Sequence, residues 1–237
     1  CVCHMQNLDE AFSAINKCLI DDGIFVFEDP SLLKMLERIS YDQIYDEHAH
    51  VFSVTALQNL MNRNGLEIFR VENLVVHGGS NRIYACKLGT RKVENSVLEN
   101  LSLEQEYGIQ ELATYEKFAK KVATSKDALV ELLTNMKKEG RKVVSYGATS
   151  KSTTVFNYCG IGPDLIDYIV DTTEAKQGKL SPGMHIPVIP PHSGFDDTVD
   201  VAFLGAWNYK KEILTKEEGF LRNGGRFITH IPRVRII

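Results

Sequence analysis

Residues 143–161 read VVSYGATSKSTTVFNYCGI, in which an apolar run meets a glycine turn and then a segment rich in hydroxyl side chains. The apolar run predicts a buried strand, and the segment up to Gly160 predicts a helix, because glycine commonly follows the last helical residue. The later runs IDYIVDT, VDVAFLGAW and GGRFITHIP also predict strands, and YKKEILTKEEGFL predicts a helix. Strands that alternate with helices predict a parallel sheet in this half of the chain.

The turn at residues 146–154 has a composition that suits phosphate binding. Backbone N–H groups and a helix N-terminus favour an anion, and Lys151 follows Gly147 closely. The turn is not a Walker A loop, because only four steps separate Gly147 from Lys151 and no glycine precedes the lysine. A plain strand-to-helix turn capped by Ser or Thr is the alternative, and it stays open here.

The first half of the chain predicts helices, one buried parallel strand and a hairpin. Asn7 and Glu10 form a capping-box pair, and Thr55 with Gln58 form another. The hairpin has His77-Gly78-Gly79-Ser80 at its corner, where glycines allow close approach of the backbone. The remaining predicted segments are a helix at 8–19, the parallel strand at 24–28, helical structure at 31–40, hairpin strands at 67–76 and 81–89, a polar linker at 90–102 and long helical structure at 103–139.

The stretch YDQIYDEHAH at 41–50 concentrates titratable side chains after a predicted strand. A solvated loop, a metal site and acid–base machinery are the three interpretations. A histidine beside a carboxylate, as in Glu47-His48, is the basic arrangement of a general base, and Tyr45 can donate to a developing oxyanion. A metal site is disfavoured, because His48 and His50 would point to opposite faces of an extended segment.

The cysteine pattern also argues against a metal site. The spacing of Cys1, Cys3 and His4 is tighter than that of usual zinc ligands, and no second Cys/His pair is present to complete a four-ligand site. We therefore predict no metal ligands in this chain. Five scattered cysteines fit a reducing cytoplasm better than a disulfide framework, so a cytoplasmic location is expected.

The composition is that of an ordinary globular protein, with 43% hydrophobic and 24% charged residues. The formal net charge of −4, without a basic block, disfavours nucleic acid and membrane surfaces as partners. No apolar run approaches the roughly 20 residues needed to span a bilayer. No N-terminal signal peptide is recognisable either.

Taken together, six stretches resemble the bacterial S-adenosylmethionine-dependent C-methyltransferases that act on nucleotide-linked 4-keto deoxysugars. The stretches are EDP at 28–30, YDQIYDEHAHVFS at 41–53, VHGGSNR at 76–82, VVSYGATSKSTTVFNYCGI at 143–161, VDTTEAKQGKLSPGMHIPV at 170–188 and GGRFITHIPRVRII at 224–237. The resemblance implies an α/β fold, with a partial class I methyltransferase (Rossmann-like) sheet followed by a second Rossmann-like α/β domain.

The resemblance also implies a domain organisation. Residues 1–100 would be the C-terminal part of the methyltransferase domain with its active-site loop and hairpin. Residues 101–140 would be a helical connection, and residues 141–237 the C-terminal nucleotide-sugar-binding domain. The zinc-binding domain and the glycine-rich loop for S-adenosylmethionine would lie upstream of Cys1. We therefore expect the cofactor contacts there, and we expect that this chain alone does not bind the cofactor tightly enough for methyl transfer.

Site residues follow from the same resemblance. His48 would be the base that removes the C3 proton, Glu47 would orient it, and Tyr45 and His4 would support the enolate oxygen before methyl capture. The partner would be a nucleotide-diphosphate sugar, and a monomer is expected. The residues that bind this nucleotide-diphosphate sugar would be His77, Gly78, Gly79, Ser80, Asn81, Gly147, Lys151, Ser152, Thr153 and Asn157.

Two other functions remain to be separated from this one. The chain could be a non-catalytic nucleotide-sugar-binding piece of such an enzyme. A nicotinamide-dependent oxidoreductase is disfavoured, because no G-x-G-x-x-G occurs in the sequence.

Overall fold

The computed structural model describes residues 1–237, which form two compact units. The first unit comprises Cys1–Arg38 and Asp46–Phe118. The second comprises Ile39–Tyr45 and Ala119–Ile237, so a short segment from the first half of the chain belongs to the second unit.

Nine helices and nine strands make up the two units. The helices are α1 (Leu8–Cys18), α2 (Leu32–Arg38), α3 (Val54–Arg63), α4 (Asn95–Tyr107), α5 (Leu112–Lys138), α6 (Ser150–Cys159), α7 (Pro191–Gly194), α8 (Lys210–Lys216) and α9 (Glu218–Arg222). The strands are β1 (Phe25–Pro30), β2 (Leu66–Leu74), β3 (Ser80–Lys87), β4 (Val143–Tyr146), β5 (Ile169–Val170), β6 (Val188–Ile189), β7 (Val201–Leu204), β8 (Arg226–Thr229) and β9 (Arg235–Ile236). None of the helices combines the length and the apolar character that crossing a bilayer requires.

The first unit contains a three-stranded antiparallel sheet in the order β1-β3-β2. The predicted β2–β3 hairpin is confirmed. The prediction of a buried parallel strand at 24–28 is wrong in direction, since β1 pairs antiparallel with β3. Its side chains alternate, with Phe27 buried and Val26 44% exposed. An apolar run indicates a strand, but it does not distinguish full burial from a sheet with one open face.

The core of the first unit packs helices against this sheet. Phe12 of α1, Leu57 of α3 and Ile83 of β3 are all buried within one cluster. Asn7 caps α1 as predicted, by accepting from the Glu10 N–H at 3.2 Å. The predicted cap at Thr55 is wrong, because Ser53 accepts from the Ala56 N–H and α3 begins at Val54.

The region after the hairpin differs from the predicted polar linker at 90–102. Helix α4 begins at Asn95, and Val97 is fully buried in the core of the first unit. Val93, Val97 and Leu101 recur at a spacing of four, which is a helical period, and they pack in this core. The many polar residues between them led to the prediction of a linker. The predicted helix at 103–139 is divided at Gly108, which ends α4 in the left-handed conformation with φ of 77°.

The second unit contains a six-stranded sheet in the order β6-β5-β4-β7-β8-β9. The strands are parallel except for β9, which pairs antiparallel with β8. The predicted parallel α/β unit is therefore confirmed. The sequence did not predict β6 or β9, which have only two residues each. The chain order reverses between β4 and β7, and ligands of such sheets bind beyond the carboxyl ends of the strands at this point.

Candidate active site

His4 is held beside the Glu47-His48 segment by backbone contacts. It ends a 3-10 turn at Val2–His4, and the His50 N–H donates to the Cys3 carbonyl at 3.1 Å. The His4 Nδ1 atom lies 2.5 Å from the Glu47 carbonyl oxygen. A carbonyl oxygen can only accept, so Nδ1 carries the proton and Nε2 of the neutral ring has the lone pair.

The structure brings the predicted base into contact with His4. The His48 ring lies edge-on to the His4 ring, with centroids 5.2 Å apart. His50 has different surroundings, because its ring stacks on Phe52 with centroids 5.6 Å apart. His4, Glu47 and His48 therefore form one cluster in the first unit, although His4 is more than forty positions away in the sequence.

The buried thiol of Cys3 is a third group in this cluster. Cys3 is 2% exposed, and burial, together with the neighbouring Asp29 carboxylate, raises the pKa of its thiol to about 12. One ligand atom each from Cys3, His4 and His48 lies within 4.8 Å of the others. The resemblance implied that His4 and His48 share a site, but as metal ligands Cys3 and His4 were weighed only with Cys1, since local spacing gives no sign that His48 is near them.

The hairpin corner has structural partners for most of its predicted binding residues. A Cβ at Gly79 would lie 2.6 Å from the Cβ of Lys34, so the close approach is to α2. The Ser80 hydroxyl donates to the Val76 carbonyl at 3.2 Å, and the Asn81 side chain accepts from Asn73 at 2.9 Å. Gly78, Ser80 and Asn81 are buried, whereas His77 is exposed. Substrate binding at this corner stays a prediction.

The turn at residues 147–153 in the second unit is already extensively hydrogen-bonded. Gly147 has φ of 98°, and the Ala148 N–H donates to Asp171 Oδ2 at 2.7 Å. Thr149 and Ser152 cap α6 reciprocally, with both N–H donations at 3.0 Å. A phosphate at this turn would therefore compete with Asp171 for the Ala148 N–H.

The Asp171 carboxylate is held ionised at this turn. Burial acts to raise its pKa, but hydrogen bonds from Thr173 and Ala148, together with the Lys176 ammonium, outweigh burial and lower the pKa. The Lys176 ammonium also donates to the Ala148 carbonyl at 2.7 Å. The prediction did not include Asp171 or Lys176, which follow β5 rather than β4.

Lys151 is 8% exposed, and burial lowers the pKa of its ammonium group while the Asp42 carboxylate opposes that effect. Its Nζ atom lies over the Tyr45 ring, 5.4 Å from the centroid. Tyr45 is thus found with Lys151 in the second unit. Thr153 is half-buried, and the exposed Asn157 donates to the Thr153 and Pro182 carbonyls.

A buried polar group around Asp42 escaped the sequence prediction. Asp42 is fully buried, and it accepts a hydrogen bond from the Trp207 indole N–H. The Nε2 atom of His230, itself 1% exposed, lies 3.7 Å from the same carboxylate oxygen. Asp42 belongs to the titratable run at 41–50, but its partners lie more than 160 positions later, where no local pattern points to them.

Comparison with known proteins agrees with the resemblance seen in the sequence. Residues 75–232 match the C-methyltransferase C-terminal domain, and residues 1–71 match a methyltransferase domain. The chain is 36% identical over 238 residues to the C-methyltransferase NovU of Streptomyces niveus. The match covers 100% of this chain and 57% of that relative. The first match alone covers more than half of the chain, and the protein therefore belongs to the C-methyltransferase family.

Proposed function

We propose that this protein takes part in C-methylation at C3 of a nucleotide-linked 4-keto deoxysugar, with S-adenosylmethionine as the methyl donor. The family match supports methyl transfer to carbon. The observation that carries the proposal is the cluster of His4, Glu47 and His48, in which a half-buried imidazole is held beside a second imidazole of defined tautomer.

The proposed chemistry starts with proton removal by His48. A ketone at C4 acidifies the neighbouring C3–H, and neutral His48 accepts that proton as the enolate forms. One well-placed acid–base group contributes roughly 10²–10⁴ in rate. The C3 carbon of the enolate then becomes the nucleophile, and His48 keeps the proton until solvent takes it.

His4 has a distinct role in this proposal, set by its hydrogen bond to the Glu47 carbonyl. In the neutral ring only Nδ1 donates, so Nε2 can accept a hydrogen bond from a sugar hydroxyl. As an imidazolium the ring donates from both nitrogens, and Nε2 can then stabilise the enolate oxygen. The contact with Glu47 holds the ring in the same orientation in both states.

S-adenosylmethionine supplies the methyl group as a sulfonium when it is bound. The first unit has only antiparallel strand pairs, and no strand in it leads through a glycine-rich turn into a helix. The residues described here therefore do not fit the cofactor as a complete site. We assign no step of donor binding to them.

Isotope exchange tests the proposal most directly. Nucleotide-linked 4-keto sugars labelled with deuterium at C3 are incubated with the protein in ordinary water, and loss of label is followed by mass spectrometry. We expect loss of label without any methyl donor, since enolisation precedes methyl capture. Binding of the nucleotide sugar without any exchange would instead support a non-catalytic binding piece.

The second unit is proposed to bind the nucleotide diphosphate through Lys151. Lys151→Ala should weaken nucleotide-sugar binding by about 1.5–3 kcal/mol, which is roughly ten- to 150-fold in Kd, because one charge-assisted contact is lost. Isothermal titration calorimetry measures this loss. Lys121→Ala, which removes an exposed lysine of the same unit, is the matched control and should bind normally. An equal loss in both variants would contradict the assignment.

Because Lys151 is buried, nucleotide-sugar affinity should depend on pH. Because burial lowers the pKa of Lys151, its charge should be lost at a lower pH than that of an exposed lysine. Nucleotide-sugar affinity should therefore fall as the pH rises through this lowered pKa. Lys151→Arg keeps its charge throughout, so its affinity should stay flat over the same pH range. Parallel pH profiles of the two proteins would exclude Lys151 as the titrating group.

A further inference from the structure

We propose that Cys3, His4 and His48 form a Zn²⁺ site that overlaps the candidate base, and that zinc bound there blocks proton abstraction. The binding part of this inference stands on geometry alone. The inhibitory part rests on the proposed function of His48.

The three side chains supply a donor set that zinc prefers. Zinc is bound in proteins by thiolate sulfur and imidazole nitrogen, and three protein ligands with one open position is a common arrangement. In such a tetrahedral site the ligand atoms lie roughly 3.3–3.6 Å apart, given Zn–N of about 2.0–2.1 Å and Zn–S of about 2.3 Å. The three ligand atoms here lie within 4.8 Å of one another. Shifts of about 1 Å, which rotation of the two rings can supply, would close the site around the ion.

The hydrogen bond of His4 is one that metal-bound histidines also make. Histidines that bind metals usually donate their other ring N–H to a carbonyl or carboxylate, which fixes the tautomer and the ring plane. The His4 Nδ1–H donates to the Glu47 carbonyl, and this leaves the Nε2 lone pair available for the ion. The Cys3 end is fixed as well, because the Cys3 carbonyl accepts from the His50 N–H.

Asp29 adds a second reason for a cation at this place. Its side chain is 5% exposed, and its carboxylate lies next to the Cys3 thiol. The Oδ1 atom accepts from the Cys1 backbone nitrogen at 3.2 Å, whereas the Oδ2 atom has no hydrogen-bond partner. A buried anion without a full set of partners favours a divalent ion nearby. On binding, a Zn–S bond forms, the S–H bond breaks, and the thiol proton leaves to solvent.

Zinc bound here would prevent proton abstraction, because it would occupy the lone pair with which His48 accepts the C3 proton. The nitrogen that would accept the C3 proton would instead be bonded to zinc, so zinc and proton abstraction exclude each other. The sequence predicted no metal ligands, because His48 was compared only with His50, and Cys3 and His4 only with Cys1. The fold brings together two halves of a site that are separated by more than forty residues.

The experiment is a Zn²⁺ titration of the purified protein against a chromophoric chelator, with Co²⁺ as a spectroscopic probe in parallel. We expect one zinc bound per chain at this cluster and a thiolate-to-cobalt charge-transfer band in the near ultraviolet. Cys3→Ser should abolish the band. His4→Gln and His48→Asn should each weaken zinc binding by at least about tenfold. Zinc should also stop the loss of label from C3, and a chelator should restore it.

Two matched variants serve as controls. Cys1→Ser and His50→Asn remove a neighbouring thiol and a neighbouring imidazole outside the cluster, and both should leave zinc binding unchanged. The proposal is overturned if the controls lose as much affinity as the cluster variants, or if the wild-type cobalt complex lacks the thiolate band. If the Cys3 variant does not fold, the two histidine variants and the wild-type band decide. Absence of C3 exchange without zinc would contradict the proposed function and leave the titration to decide the site.

Discussion

His48→Asn, in a full-length enzyme that binds the methyl donor, is expected to reduce C3 exchange and methyl transfer by roughly 10²–10⁴-fold, the contribution of one well-placed acid–base group. Asparagine keeps much of the size of histidine and can hydrogen-bond, but it cannot accept the C3 proton. Mass-spectrometric loss of the C3 label measures enolisation separately from methyl capture. Both rates should fall together, because the enolate is the nucleophile in the proposed reaction.

His50→Asn is the matched control for this prediction. His50 stacks on Phe52, whereas His48 contacts His4, so the same substitution two positions away probes different surroundings. We expect exchange close to that of the unchanged protein in the His50 variant, and nucleotide-sugar binding to persist in both. Normal exchange with asparagine at 48 and lost exchange with asparagine at 50 would place the base at His50 instead.

The parts of the fold that the sequence predicted are those governed by local chemistry. Asn7 with Glu10 gave the start of α1, and the glycine corner gave the hairpin. Alternating strands and helices gave the parallel sheet of the second unit. The direction of β1 was missed, because direction depends on the strand beside it rather than on its own residues. The first part of α4, residues 95–102, was missed because its many polar residues favoured a linker, although Val97 and Leu101 follow a helical spacing and pack in the core.

The candidate site also has some features that local sequence predicts and others that arise only in the folded chain. The Glu47-His48 pair is visible in the sequence, because an acid next to an imidazole is a local pattern. The Glu47 carbonyl sets the tautomer of His4, and the Cys3 sulfur comes within 4.8 Å of ligand atoms of His4 and His48, only because distant segments meet in the fold. Likewise, Asp42 looked like one more residue of a titratable run. Asp42 is buried and accepts a hydrogen bond from the Trp207 indole N–H, so it belongs to the interior of the second unit.

Gly205 packs closely against the turn that carries Lys151 and so sets the geometry of that turn. A Cβ at this position would lie 2.5 Å from the Gly147 carbonyl oxygen and 3.0 Å from the Ser152 Cβ. The Gly205 N–H donates to the Tyr146 carbonyl, and the Gly205 carbonyl accepts from the Thr149 hydroxyl at 2.8 Å. The obstruction is mainly backbone, which a rotamer change cannot relieve.

Gly205→Ala should therefore lower the free energy of unfolding of the second unit by about 3 kcal/mol, the upper end of the usual cost of overpacking. The measurement is urea unfolding followed by the fluorescence of Trp207, the single tryptophan of the chain, which is buried in this unit. Gly219→Ala is the control, because Gly219 lies within α9 and a Cβ there meets nothing within 4 Å. That variant should be more stable by about 0.5–1 kcal/mol, since alanine is the better helix former. Equal unfolding midpoints for the two variants would show that the turn yields to the added methyl group, and the close packing of Gly205 would then not fix the position of Lys151.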